Sequence, residues 1–363
     1  MGLKHIQWLA TLALAVAMNA GSAAAQGKLA EEVYKNIQAL KGVSAEQVPI
    51  TMQYFTTALG VTCGTCHVSG ANDKDDKAEK QTARKMISMV LDINKGHFAG
   101  RGAISCYTCH RGNLAPVGTP VPSEMTRSAA APALPAGVTA DVLLDKMLAA
   151  MGGDAVAKVT SKAAKGTRED AANPPTPIEM YASYPDQGAL IVHMVGADDV
   201  TGYDGAAGWT ANPSRGVREM IAQETEGTKL EDPIYLAANA RRLYPQWRVG
   251  TPAKIGDRDA YVLNATAPAQ APPGAQGRPP VRLYLDAQTG TLLRLIRYVE
   301  TPVGRQPTQL DYSDYRDVAG VKVPHKIASI RPQARNTITL SDVQLNGAID
   351  PAKFVKPANP PAR

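Results

Sequence analysis

Residues 63–67 read Cys-Gly-Thr-Cys-His, and residues 106–110 read Cys-Tyr-Thr-Cys-His. These two units contain all four cysteines of the 363-residue chain, so none is left for a separate structural disulfide. Within each unit, two intervening residues place both sulfur atoms on one helical turn, and the histidine follows directly. The sequence therefore predicts a small, mostly helical region built around two equivalent sites.

Each unit has the residue types that covalent haem attachment requires. The two thiols can add to the two vinyl groups on one edge of a porphyrin, and the adjoining imidazole can reach the iron. A redox-active dithiol and half of a zinc site are the alternative interpretations of one isolated pair of cysteines. Two such units that use every cysteine favour two covalent haem c groups. The predicted attachment residues are Cys63, Cys66, Cys106 and Cys109, and the predicted proximal iron ligands are His67 and His110.

Residues 1–25 have the three parts of a secretory signal. Lys4 and His5 precede an apolar run from Trp8 to Met18, and small residues end at Ala25. The apolar run is too short to span a membrane, and the cleavage region has no cysteine for a lipid anchor. We expect a periplasmic protein that associates with a membrane complex only through a partner. The formal charge of +6 comes without a block of like charges, which argues against nucleic acid as a partner.

The remaining length predicts more than one domain. Pro and Ala enrichment indicates a stiff linker after the helical region, and alternating apolar residues separated by Gly-containing turns then predict an antiparallel sheet. The predicted fold is multidomain α+β, with a small α module followed by a curved antiparallel sheet that carries helices on one face. The predicted divisions are a signal peptide at 1–25, a dihaem cytochrome domain at 26–113, a linker at 114–137, a sheet domain at 138–356 and a tail at 357–363.

The sixth iron ligand decides between a closed electron carrier and an open, reactive iron, and methionine favours the carrier. Met52 lies on a helix predicted from Pro49 to Leu59, before the first unit. Met86 and Met89 lie one turn apart on a helix predicted from Lys77 to Asn94, before the second unit. These methionines are candidate distal ligands, although a helical methionine can also be an ordinary packing residue.

About residues 37–115 resemble the cytochrome c subunit of the photosynthetic reaction centre. The resemblance is carried by Thr82-Ala83-Arg84-Lys85-Met86-Ile87-Ser88-Met89, by Ile93-Asn94, and by Cys106-Tyr107-Thr108-Cys109-His110-Arg111-Gly112-Asn113. It implies a paired haem unit, electron transfer to an unspecified redox partner, and ligation by the first methionine of the helix. Met86 is therefore chosen over Met89 as the distal ligand of the second haem.

The chain departs from that family in two respects. Family members carry four haems in two pairs, whereas this sequence has motifs for one pair only. Gly100 stands where a ligating histidine of the family would align, and the nearby His97 is out of register. We expect His97 to be a surface or loop residue.

The carboxy-terminal half loosely resembles periplasmic lipoprotein-carrier proteins. The resemblance is carried by Met151-Gly152-Gly153 and by hairpins at 203–210 and 283–295. It implies an apolar ligand in the concave face as one alternative, with the haems acting as a redox sensor. A second alternative is a haem enzyme acting on peroxide or a small nitrogen oxide. No catalytic group is predicted, and we expect structural or solvated roles for His193, His325, Asp311, Asp314 and Asp317.

Overall fold

The computed structural model describes residues 27–118, 134–171, 174–266, 278–331 and 334–358. The predicted signal peptide lies outside these ranges, as do the greater part of the linker, most of the Pro-rich loop before Val281 and the last five residues of the tail. Within the described ranges, no helix combines the length and apolar character needed to cross a membrane.

The amino-terminal part is helical, as the sequence predicts. Its helices are α1 Ala30–Val33, α2 Gln47–Leu59, α3 Cys63–Cys66, α4 Ala78–His97 and α5 Cys106–His110. Gly60 ends α2 in a left-handed conformation (φ 65°), which glycine adopts without a steric penalty. Both long helices predicted before the cysteine units are confirmed, and α4 runs three residues further than predicted.

Within its described residues, the second part forms one 14-stranded sheet, and all of the strand pairs there are antiparallel. Its strands are β1 Ser161–Asp170, β2 Thr176–Ser183, β3 Gln187–Met194, β4 Ala197–Tyr203, β5 Gly208–Asn212, β6 Gly216–Met220, β7 Trp247–Val249, β8 Ala253–Ile255, β9 Arg258–Ala265, β10 Val281–Asp286, β11 Leu292–Thr301, β12 Gly304–Val318, β13 Val321–Arg331 and β14 Ala334–Leu345. The strand order is β6-β5-β4-β3-β2-β1-β14-β13-β12-β11-β10-β9-β7, and β8 also pairs with β9. The sheet is open, and the pairing of β1 with β14 joins the meander β1–β6 to the meander formed by the later strands.

Helices pack against this sheet, and their apolar side chains form the core together with inward side chains of the strands. They are α6 Ala140–Met151, α7 Asp154–Ala157, α8 Ala222–Leu230 and α9 Pro233–Leu243, and a 3₁₀ helix spans Pro351–Phe354. Met147 of α6 and Leu236 of α9 are fully buried in one cluster with inward residues of the strands, such as Leu283 and Leu295. The predicted fold class is confirmed. Helix α8 was not predicted, because its sequence Ala-Gln-Glu-Thr-Glu-Gly-Thr-Lys-Leu lacks an apolar stripe.

The helical part and the sheet share a small core. Val303, at the tip of the β11–β12 hairpin, has 0 % of its surface exposed and packs in a cluster with Tyr54 and Cys106. A Cβ atom at Gly304 would collide with the Tyr54 ring, so the hairpin approaches α2 closely because this residue is glycine. Thr57 Oγ1 also donates a 3.1 Å hydrogen bond to Gln306 Oε1. The two parts of the chain are therefore in direct contact across the predicted linker.

Candidate haem-binding sites

The first cysteine unit opens onto an apolar cleft between α2 and α4. About 870 Å³ of space, part of it open to solvent, lies among the lining residues. The residues that line it include Met52, Phe55, Leu59, Cys63, Cys66, His67, Ala83 and Ile87. The fold thus brings together the predicted distal ligand, both attachment cysteines and the proximal histidine of one site.

The imidazole of His67 is held by the backbone. Its Nδ1 lies 3.0 Å from the carbonyl oxygen of Asn72. Because a carbonyl oxygen can only accept, Nδ1 carries the proton and Nε2 keeps a free lone pair. Histidines that bind metals are commonly oriented in this way by a second partner. The donor set of this site therefore fits a haem iron.

A buried lysine contacts the same carbonyl group. Lys80 Nζ donates to Asn72 O at 2.9 Å and to Lys74 O at 2.6 Å, and lies 3.0 Å from Asp75 Oδ1. Only 10 % of its side chain is exposed. Arg84 binds the other carboxylate oxygen of Asp75 at 2.9 Å. Arg84 first, and then Lys80, hold the pKa of Asp75 well below its usual range.

The second unit repeats the histidine geometry in a different setting. His110 Nδ1 lies 3.0 Å from the carbonyl oxygen of Asn113, so its Nε2 is likewise free to bind iron. The thiol of Cys106 is buried, whereas that of Cys109 is exposed. The buried amide of Asn94 holds the preceding loop through bonds of 2.7 Å to Ile104 O and 2.9 Å from Ile104 N.

Met86 and Met89 lie on the outer side of α4, where 37 % and 42 % of their surfaces are exposed. Ile87 and Val90 of the same helix point inward. Neither methionine lines the first cleft. Both thioethers are accessible on the side of α4 away from that cleft, so the choice of Met86 over Met89 rests on the family resemblance.

The two sites contact each other where the end of α2 meets the residue that follows the second cysteine unit. The backbone N–H of Gly112, just after the second unit, donates a 3.0 Å hydrogen bond to the carbonyl of Ala58 near the end of α2. A Cβ atom at Gly60 would collide with the carbonyl oxygen of Gly112. The end of α2, the helix that carries Met52, therefore packs directly on the end of the second cysteine unit. The two sites belong to one packed unit.

The thiols of Cys66 and Cys106 do not have the electrostatics of a dithiol oxidoreductase. Burial raises the pKa of the Cys106 thiol to about 11 and also raises the pKa of Cys66. Catalytic redox dithiols have a lowered thiol pKa instead. Among the described residues, no group of three or more His, Cys, Asp or Glu side chains is arranged to hold a metal ion.

The remaining candidate residues have structural surroundings. His97 is exposed at the end of α4, His193 is exposed beside Asp198, and the buried His325 bonds to the Val323 carbonyl. Three aspartates of β12 pair with neighbouring cations: Asp311 with Arg294, Asp314 with Arg316, and Asp317 with Lys322. The resemblance implied an apolar ligand on the inner face of the sheet. Apolar side chains of the protein's own helices α6 and α9 pack against that face.

Lys80 and the carbonyl groups of Asn72 and Asn113 were not predicted. A main-chain carbonyl has no side-chain signature in the sequence. Lys80 precedes the predicted apolar stripe of α4 and has the pattern of a solvated helix residue. Its spacing of three, four and seven residues from Ala83, Arg84 and Ile87 was the signal that could have placed it on the cleft face.

Residues 4–146 match the family described as photosynthetic reaction centre cytochrome C subunit. The chain is 41% identical over 95 residues to the photosynthetic reaction center cytochrome c subunit of Thermochromatium tepidum, covering 25% of this chain and 23% of that protein. It is 35% identical over 81 residues to cytochrome c-554 of Chloroflexus aurantiacus, covering 21% and 20%. The chain spans about a quarter of the length of the curated relatives it matches. The family resemblance of the amino-terminal part is confirmed.

The sheet part is similar in fold to several solved structures. A domain from Vibrio parahaemolyticus described as an outer membrane lipoprotein-sorting protein is 13% identical, with a TM-score of 0.40, and covers 60% of this chain and 97% of its own. A LolA superfamily protein from Nitrosomonas europaea is 15% identical, also with a TM-score of 0.40, and covers 61% and 99%. These similarities concern the fold alone.

Proposed function

We propose that this chain is a periplasmic dihaem c-type cytochrome that transfers electrons through two His/Met-ligated haems. The observation that carries the proposal is the first cleft, where Met52, two cysteines and an oriented His67 meet. His110 has the same orientation through its own carbonyl partner. The similarity to reaction centre subunits and to cytochrome c-554 supports the same chemistry.

Each residue has a role in this proposal. The four cysteines fix the porphyrins as thioethers, and His67 and His110 bind the irons through Nε2. Met52 is the distal ligand of the first haem and Met86 that of the second. Haem iron, when bound, supplies a one-electron couple, and methionine favours its reduced state. The Gly112–Ala58 contact holds the two sites in one body, as electron passage between them requires.

The proposal includes the predicted export signal at residues 1–25 and the predicted domain divisions. Its partner is a redox protein or a membrane complex reached from the periplasmic side. The sheet domain supports the haem part through the β11–β12 hairpin.

Spectroscopy of the full haem-loaded chain tests the proposal. We expect two haems per chain by pyridine haemochrome assay and mass, a ferric methionine–iron charge-transfer band, and little binding of carbon monoxide by the reduced protein. Met52→Ala and Met86→Ala should each remove half of that band, and Met89→Ala is the matched control. Ready binding of carbon monoxide by the unmodified protein would contradict closed His/Met sites and indicate an open iron, as in the enzyme alternative.

A further inference from the structure

We infer that Lys80 raises the reduction potential of the first haem above that of the second by acting on the carbonyl group that orients His67. This inference rests on the proposed function, because it concerns the haem that His67 would bind. Lys80 would be a positioning and tuning residue that does not itself contact the iron.

The geometry fixes the lysine charge beside the proximal histidine. The Asn72 carbonyl oxygen accepts from His67 Nδ1 at 3.0 Å and from Lys80 Nζ at 2.9 Å. The three protons of the ammonium group are matched by three acceptors, since Lys74 O and Asp75 Oδ1 take the other two. A side chain that is 10 % exposed and fully bonded cannot swing into solvent without losing all three contacts.

Two effects of this charge have the same sign. A cation on the Asn72 oxygen withdraws electron density from it, so this oxygen is a weaker acceptor for the imidazole N–H and the imidazole is a weaker electron donor to iron. The cation also disfavours the extra positive charge of ferric iron by direct repulsion, which solvent screens little at a buried position. Both effects favour the reduced haem.

The counter-charge of Asp75 does not cancel the effect, because the carboxylate is shared. Lys80 and Arg84 contribute two positive charges and Asp75 one negative charge, which leaves this ion-paired group with a net charge of one positive unit. Both basic residues line the cleft. Among the described residues, the Asn113 carbonyl of the second unit bonds to His110 without a lysine or arginine partner.

Redox titration of the full haem-loaded chain tests the inference. Lys80→Met should lower the potential of the first haem and leave the second unchanged, and Lys80→Arg should restore most of the difference. Asp75→Asn should shift the first haem in the opposite direction. The first haem is the one whose spectrum changes in Met52→Ala. Lys95→Met is the matched control, since this exposed lysine is on the same helix, about 22 Å further along.

Nitrogen-15 NMR of the reduced protein adds a readout at the bond itself. The Nδ1–H resonance of His67 should move in Lys80→Met and stay in place in Lys95→Met. The inference is overturned if Lys80→Met shifts both haems equally, or neither, or if Asp75→Asn and Lys80→Met shift the potential in the same direction. Should Lys80→Met fail to fold, Lys80→Gln and Asp75→Asn give the same opposed pair of signs. Absence of bound haem in the unmodified chain would instead refute the proposed function.

Discussion

The two cysteine units are alike in what their motif dictates and unlike in everything around it. In both, the histidine Nδ1 lies 3.0 Å from a backbone carbonyl a few residues further along the chain. The first unit opens onto an apolar cleft with a buried lysine at its edge, whereas the second is held by Asn94 and covered on one side by Val303 of the sheet. The same motif thus comes with the same histidine orientation, whereas the surroundings that would set the properties of each site differ.

The largest expected effect is on the haem content, which tests each of the two sites separately. Cys63→Ala combined with Cys66→Ala should reduce the haem content from two per chain to one, because a porphyrin without both thioethers is lost on denaturing gels. The reciprocal pair, Cys106→Ala with Cys109→Ala, should retain only the first haem. Haem staining and intact mass measure both. Loss of both haems from either pair would show that the sites do not form independently.

The next effect tests the role of the sheet in the second site. Val303→Ala should lower the free energy of unfolding by about 1–3 kcal/mol, because it leaves a cavity between Tyr54 and Cys106. The spectrum of the second haem should change more than that of the first. Val195→Ala at the tip of the β3–β4 hairpin is the matched control, since that valine is fully exposed. If chemical denaturation showed the same loss of unfolding free energy in both variants, the shared core would be contradicted.

A similar but smaller loss is expected at the loop before the second unit. Asn94→Ala removes two hydrogen bonds and leaves the Ile104 backbone groups without these partners, which should cost about 1–2 kcal/mol. The exposed Asn72→Ala is the control, because its contribution to the first site is a main-chain carbonyl that alanine keeps. Thermal unfolding, followed at the absorption bands of both haems, compares the stability of the two variants. A larger loss of stability in Asn72→Ala than in Asn94→Ala would contradict the stabilising role of the Asn94 side chain.

The smallest effect is the acid response of the first site. The pKa of Asp75 is lowered by Arg84 first and by Lys80, so its carboxylate stabilises the fold above the unfolded pKa of about 3.9. That contribution is lost as the pH falls through the lower folded pKa. Asp75→Asn should therefore be less stable than the unmodified chain at pH 7, and the gap should close in strong acid. Urea titrations at several pH values measure this gap, with the exposed Asp76→Asn as control.

Local patterns in the sequence predicted the two long helices of the amino-terminal part and the antiparallel sheet of the second part. The two helices before the cysteine units were predicted at Pro49–Leu59 and Lys77–Asn94, and they lie at Gln47–Leu59 and Ala78–His97. Periodicity and turn residues are properties of neighbouring residues, so they can be read without the fold. Helix α8 has no such periodicity and is held by tertiary contacts, among them Gly227 against Arg297.

Long-range contacts could not be predicted. Val303 follows a turn proline in an ordinary hairpin, and nothing near it in the chain indicates that its partner is Tyr54. The same holds for the ammonium of Lys80, which a helical pattern would place in solvent. The sequence does predict the cysteines and histidines of the candidate site, because covalent chemistry restricts residue type and spacing more tightly than packing does.

The buried hairpin tip has a consequence for the order in which the protein is made. Val303 lies 197 positions after Cys106 in the chain. A chain exported from its amino terminus therefore presents Cys106 before the hairpin that covers it, and until the hairpin packs, this sulfur is not covered from the sheet side. We expect a chain that stops before the hairpin to attach its second haem at least as fast as the complete one, which pulse labelling would measure. The order of the chain thus leaves the Cys106 position open until the sheet part has folded onto the helical part.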